Sequence, residues 1–533
     1  MLSRMDEDTD FRRRALEQDT RSKVRRKAAD EARVPVLTVA WHADIRRVGQ
    51  RATLPSAGVT PLSRSEPIFG GGAGRPGPLA DPFLSRKPWQ LQTRTDGAVE
   101  LRRAGSSIDL RLDGEPADGR LITADELGRS VVLEVADRVV LVLHLGSPVP
   151  SGGPEHGMIG RGPAMEQLRR EIDRVASLRL PLLLRGESGT GKELVAQAVH
   201  QAGPRRDGPF VTVNMAAVPP SLAASELFGA EKGAFSGADR KRQGFFAAAD
   251  GGTLFLDEVG DTPADAQALL LRALESGEIQ PVGATAPRRV DVRVIAATDL
   301  DLEDAMDAGT FRTPLFHRLS GFELLLPPLC ERREDVGLLL AHFLRRELDT
   351  LHLGRRLDLV SADGEPWIGA DLVAPFLRFG WPGNVRQLRN VAGQIVAASH
   401  DREGAVLPDS VRRLFQNAEP EPAQGRASTS PATKKPATRR APADLKDDEI
   451  LDALRRCRWR IKPAADELGI SRPSLYKLME ERSRFRLAGD LDESELRRAH
   501  GAADGHVAAM VEDLEISPDA LRRRLRELGL EIR

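Results

Sequence analysis

The sequence predicts a multidomain chain of three unlike parts: a β-sandwich, an α/β domain built on a parallel sheet, and an all-α set of short helices. Three observations carry this reading. From Pro35 to about Leu145, short apolar runs such as VLTVAW, SIDLRLDG and VVLEVADRVVLVLHL stand between Gly, Pro and Asp turns, the spacing of a sandwich. From about 158 to 414, the buried-strand runs PLLLRG, PFVTVN, GTLFLDE and VRVIAATD alternate with helical patterns, which implies parallel pairing. From residue 446 onward the apolar spacing is helical throughout.

The remaining segments divide these parts. Residues 1–34 are a charged arm, and 146–157 (GSPVPSGGPEHG) are a linker. Residues 415–445 are poor in apolar side chains and rich in Pro, Ala and Thr, so they bury too little to offset the entropy of ordering and read as a disordered basic linker. The helical part divides into 446–486 and 487–533, because the second half echoes the first. Ile470, Ser471 and Leu475 align with Ile516, Ser517 and Leu521, and Ile450 with Leu496, each 46 residues on.

Composition narrows the class. The charges nearly cancel, 78 Lys and Arg against 79 Asp and Glu, but SPATKKPATRRAP and much that follows it are basic, which suggests an acidic polymer as partner. The two cysteines, Cys330 and Cys457, have no His or Cys cluster around them, which argues against a zinc site or disulfide framework. No apolar run approaches the roughly 18 residues of a membrane span, and the N-terminus lacks the apolar core of a secretory signal, so a cytoplasmic location is expected.

The chemistry concentrates between 186 and 390. GESGTGKE (Gly186, Glu187, Ser188, Gly189, Thr190, Gly191, Lys192, Glu193) joins an apolar strand to a helix. Such a turn aims backbone N–H groups and a helix N-terminus at phosphates, and Lys192 reaches the outer ones. Glu193 stands where a Ser or Thr usually follows the lysine. In GGTLFLDE, Asp257 and Glu258 end a buried strand: Asp257 would position Mg2+ or its water, and Glu258 would polarise the attacking water. Thr298 and Asp299 end the next strand and are placed to sense the γ-phosphate. Arg312 and Arg318 have no carboxylate near them in sequence, and an arginine that completes phosphoryl transfer can come from a neighbouring subunit. GWPGNVRQLRN adds a turn and a helix start carrying Arg386.

The order GESGTGKE, ELFGAEKGAFSGA, GGTLFLDE, VRVIAATD, FR…R, LPPL, WPGNVRQLRN resembles the AAA+ domain of the sigma-54-dependent transcriptional activators over about 158–400. The resemblance implies an AAA+ P-loop ATPase with a helical lid, using ATP and Mg2+ and working as a ring, a hexamer. It also makes Glu193 a family trait and Asn214 a restraint on Glu258, with Arg312 and Arg318 as fingers acting in trans and Arg386 as a second sensor. In that family a GAFTGA loop touches sigma-54. Gly233, Ala234, Phe235, Ser236, Gly237 and Ala238 hold its place here, with Ser236 for the family's threonine. Two further departures are Pro314, where an aspartate is often found, and Asp299, where asparagine is frequent.

KPAADELGISRPSLYKLM resembles the Fis-type helix-turn-helix, which implies that Ser471, Arg472, Ser474, Tyr476 and Lys477 face DNA. Its echo is read as a second reader, a phosphate clamp or a decayed dimer element. PLSRSEPIFG followed by ADPFLSRKPWQL resembles the forkhead-associated (FHA) phosphothreonine-binding module, implying phosphate contacts from Arg64, Ser85 and Arg86. Taken together, the resemblances imply an ATP-dependent activator that binds enhancer DNA and remodels sigma-54 RNA polymerase complexes. A phosphothreonine protein or a Ser/Thr kinase would supply its input. The rival reading is a DNA-binding regulator that keeps the fold and no longer contacts sigma-54.

Overall fold

The computed structural model describes residues 33–148 except 73, then 155–234, 241–358 and 365–416. Farther on it describes 447–457, 491–503, 507–528 and isolated positions between and beside them. The charged arm (but for its last two residues), most of both linkers and the tip of the loop at Phe235 lie outside the described residues. The chain forms two compact units, divided at Pro420.

The first unit opens with two antiparallel sheets. One holds, in spatial order, Arg51–Thr53, Val34–Trp41, Val139–Gly146, Val131–Val135, Leu110–Leu112 and Glu115–Pro116. The other holds Gly58–Leu62, Trp89–Thr93, Val99–Arg103 and Leu121–Ile122. The sandwich is as the sequence predicts. Its core lies between the sheets, with Leu37, Val39, Leu133, Leu141 and Leu143 meeting Leu62, Trp89, Leu91 and Leu101.

The six-stranded sheet does not end at solvent. Its second face, formed by Ala40, Trp41, Val132, Val140 and Val142, shares a core with Leu339, Leu340, Val373, Phe376 and Leu377 of two helices, Arg333–Thr350 and Ala370–Arg378. Burial on both faces explains why VVLEV and VVLVLHLG read as nearly continuous apolar runs rather than alternating ones. The sequence placed a linker and a boundary here; the structure instead gives the sandwich and the helices one common core. Trp41 Nε1 donates to the Ile368 carbonyl at 3.1 Å, and Ser130 Oγ to Glu334 Oε2 at 3.1 Å. Arg51 pairs with Glu166 at 2.9 Å, both nearly buried, and Arg378 pairs with Glu134. A glycine at 337 is required, since a Cβ there would drive into the Ala40 carbonyl.

The five-stranded sheet that follows is wholly parallel, ordered Phe210–Asn214, Thr253–Asp257, Arg293–Thr298, Leu182–Arg185, Phe322–Leu325. Three of its central strands are nearly all apolar and buried (LLLR, TLFLD, RVIAAT), as strands covered on both faces must be. Helices including Pro163–Ala176, Lys192–Ala202 and Ala264–Ser276 cover it. The chain then enters the helical lid, whose Asn384–Ser399 and Asp409–Gln416 pack on the two helices already named.

The second unit is helical, as predicted. Asp447–Arg456, Glu493–Ala502, Val507–Leu514 and Pro518–Glu527 surround one core to which both halves of the repeat contribute. No helix among the described residues is long and apolar enough to cross a membrane.

Replacing Gly337 with alanine should force the sheet and the lid helix apart. Overpacking of this kind costs about 1–3 kcal/mol. The expected outcome is a lower melting temperature together with faster proteolysis between the sandwich and the sheet domain. A variant that melts and digests like wild type would show that the close approach is not maintained in solution.

Candidate nucleotide site

The phosphate loop begins where Leu182–Arg185 ends. Gly189 and Gly191 take positive φ, 80° and 105°, which side chains rarely adopt. The loop is closed by Thr190, whose N–H and hydroxyl both bond to the Glu187 carbonyl, at 3.3 and 2.8 Å. The helix Lys192–Ala202 starts at once, so its free N–H groups face the loop's hollow. Lys192 is buried, bonds to the Gly186 carbonyl at 3.0 Å and lies 3.8 Å from Glu258. Glu193 is exposed in the helix's first turn.

Parallel pairing brings the acidic strand end beside this loop. Asp257 sits level with Asn214, and its Oδ1 is buried with no hydrogen-bond partner among the described residues. An orphaned carboxylate oxygen next to a phosphate loop fits a cation or its water, so Asp257 is the residue that would hold Mg2+. Burial raises the pKa of Glu258 above the ordinary carboxylate value; Lys192 opposes this, while Asp299 and Asp257 add to it. The Asp299 N–H also reaches Glu258 at 3.4 Å.

Some expected contacts fall elsewhere. The Asn214 amide, expected at Glu258, donates to Asp257 Oδ2 at 3.4 Å. Thr298 is buried, and its hydroxyl accepts from Leu300 N at 3.1 Å, so that oxygen is engaged in a strand-end turn. Arg312 and Arg318 are both exposed at the two ends of Thr313–Leu319, away from the cluster around Lys192; Arg318 donates to the Leu274 carbonyl at 3.0 and 2.8 Å. Pro314 lies in that helix's first turn, where a missing N–H leaves no bond unmade.

The lid completes the site through a residue that the sequence reading passed over. Asn384 is wholly buried, and its side-chain amide donates to Glu187 Oε2 at 2.9 Å and to the Ser188 carbonyl at 3.1 Å. Its oxygen accepts from Leu329 N at 2.7 Å, and Val385 N donates to the Gly189 carbonyl at 3.0 Å. Arg386 reaches Ser188 Oγ at 3.0 Å, over the same loop. Asn384 and Trp381 both take positive φ, 49° and 47°. Asparagine tolerates that conformation, which was the available signal in WPGN.

The loop at Gly233 stands on a pinned stem. Ala230 and Arg242 exchange backbone bonds at 3.1 and 2.9 Å, Glu231 N donates to the Val282 carbonyl at 3.0 Å, and Ala234 N returns to Glu231 at 3.2 Å. Phe235, Ser236, Gly237 and Ala238 lie outside the described residues, as do Ser471, Arg472, Ser474, Tyr476 and Lys477. In the sandwich, Arg64 N donates to the Ser85 carbonyl at 3.1 Å, which brings those two residues together, with exposed Arg86 next in the chain.

A parallel sheet, a phosphate loop, a strand-end carboxylate pair and a lid define an AAA+ ATPase domain. Residues 158–325 match the sigma-54 interaction domain, 330–428 the AAA+ ATPase lid domain, and 443–481 the bacterial regulatory protein, Fis family. The chain is 38% identical to the DNA-binding transcriptional regulator NtrC of Azospirillum brasilense over 377 residues, covering 70% of each. It therefore belongs to the NtrC-like family of sigma-54-dependent transcriptional activators. It is 46% identical over 269 residues to NtrC of Escherichia coli K12, covering 50% of this chain and 55% of that one; the chain thus spans about half the length of several curated relatives. A crystal structure of NtrX from Brucella abortus in complex with ATP is 29% identical and covers 70% of each chain, at a TM-score of 0.43.

Exchanging Asp299 for asparagine removes one of the charges that raise the Glu258 pKa. Glu258 works as a carboxylate, so the acid limb of the ATPase pH profile should move to lower pH in D299N. An unmoved limb would mean that Glu258 does not set it.

Proposed function

We propose that this chain is an ATP-driven transcription activator of sigma-54 RNA polymerase, acting as a hexameric ring bound to enhancer DNA. The observation that carries the reading is the union, in one domain, of a nucleotide site closed by its lid with a GAFSGA loop on a pinned stem. Lys192 and the loop amides hold ATP, Asp257 holds Mg2+, and the ion offsets phosphate charge when bound. Glu258 orients the attacking water and accepts its proton. Arg312 and Arg318, exposed on one short helix, serve the site of the adjacent subunit. Arg386 reports the phosphates to the lid, and hydrolysis moves the loop bearing Phe235 against its partner.

The test is to trap the full chain with a transition-state analogue of ATP and sigma-54 and look for a stable complex by size exclusion. A complex is expected, and Phe235→Ala should abolish it while sparing ATP hydrolysis. Hydrolysis with no complex would favour a DNA-binding regulator that has lost sigma-54, the reading to which Ser236 and Pro314 point.

The sandwich is, on this proposal, an FHA-like phosphothreonine sensor. Supporting this are its paired antiparallel sheets, the meeting of Arg64 with Ser85, and exposed Ile68 and Phe83 on the same stretch. A charge-assisted bond is worth about 1.5–3 kcal/mol, so Arg64→Ala should weaken binding of phosphothreonine peptides by about 10–100-fold in fluorescence anisotropy. Equal binding by the variant would remove the phosphate reading and leave a regulatory cap.

A further inference from the structure

Residues 487–533 lie beyond the Fis-family match, yet their structure repeats it. Six pairs of buried residues stand 46 positions apart: Ile450 and Leu496, Ala453 and Ala499, Ala464 and Met510, Leu468 and Leu514, Leu475 and Leu521, Met479 and Leu525. The helix Asp447–Arg456 returns as Glu493–Ala502, both ends displaced by the same 46. A chance likeness of sequence does not bury the same face at every step. The copies are also joined: all twelve side chains belong to one core, and Arg455 pairs with Glu515 at 2.7 Å. The second copy is therefore held in place against the first.

What sets the copies apart is charge. The helix Pro518–Glu527 is the counterpart of 472–481 and carries Arg522, Arg523, Arg524 and Arg526. Leu521 and Leu525 are fully buried and mark its inner stripe. Positions 522, 523 and 526 fall off that stripe. Arg522 and Arg523 occupy the places of Tyr476 and Lys477, two of the residues expected to face DNA, and Arg526 replaces Glu480. At the helix start, Asp519 stands where the first copy has Pro473. Arginines in such number, with an aspartate at the leading end and no Asn or Gln, suit phosphates better than base edges.

We propose that residues 487–533 are a second DNA-contacting half, in which Arg522, Arg523 and Arg526 grip the phosphate backbone of duplex DNA beside the stretch read by the first copy. This rests on the reading that the first copy binds DNA. A single chain then makes two adjacent contacts with the duplex.

The experiment uses the full chain and a fluorescein-labelled duplex of arbitrary sequence, with affinity measured from about 50 to 200 mM salt. Each lost phosphate contact lowers the slope of log K against log salt by about 0.9. R522Q/R523Q/R526Q should lower it by about 2–3 and weaken binding, whereas R522K/R523K/R526K should keep the wild-type slope. A photo-crosslinking residue in place of Asp519 should label the DNA, which checks the contact without removing any arginine. Wild-type slope and affinity in the glutamine variant would overturn the inference, provided that R472Q/K477Q weakens binding. So would a crosslinker at 519 that leaves the DNA unlabelled. A wild-type chain that binds no duplex would instead overturn the reading of the first copy.

Discussion

The contact on which the rest of the first unit depends is the one between the six-stranded sheet and the lid helix at Gly337. There a helix comes against a strand so closely that no side chain fits between them. Around that point the sheet's second face and the lid bury Trp41, Val132, Val140, Leu340, Val373 and Phe376 in one core. Apolar burial of this kind is worth about 25 cal/mol per Å2, so a face this wide holds the two parts together more firmly than any ion pair along its edge. The buried carboxylates Glu334 and Asp335 sit at the seam. Burial raises both above the usual carboxylate range, and their partners come from both sides: Ser130 from the sandwich, and Arg161 and Gly162 from the segment leading into the sheet domain.

The nucleotide site depends on the same lid. Glu187, Ser188 and Gly189 each meet the turn that begins the helix Asn384–Ser399. A loop of glycines is free to adopt many shapes, and the amide of Asn384 selects one that leaves its N–H groups open to phosphate.

Much of this was legible in the sequence, and what was not has a physical reason. The phosphate loop, the carboxylate pair and Arg386 could be read because their chemistry demands fixed residue types at short spacing. The second helical copy could be read because a duplicated core keeps its period, as Ile450 and Leu496 show. The fusion of sandwich and lid could not, because an apolar run says that a strand is buried but not by what. The bond from Trp41 to Ile368 spans 327 residues, and only the fold brings such partners together. Asn214 was assigned the wrong carboxylate for a related reason: strand pairing sets it level with Asp257, a register that no motif displays.

The ion pair between Arg51 and Glu166 gives the sandwich a second foothold. Glu166 belongs to the helix Pro163–Ala176, which packs on the parallel sheet, whereas Gly337 and Glu334 belong to the lid. The sandwich is thus a strut laid across the joint between the two halves of the ATPase domain. Any rotation of lid against sheet must shear one of its two footings. Of the two, the ion pair is the smaller, and the shared core is the one that would hold. By reciprocity, whatever loosens the footing at Arg51 also changes how tightly the domain holds its nucleotide, and the nucleotide state changes how the sandwich meets its own ligand.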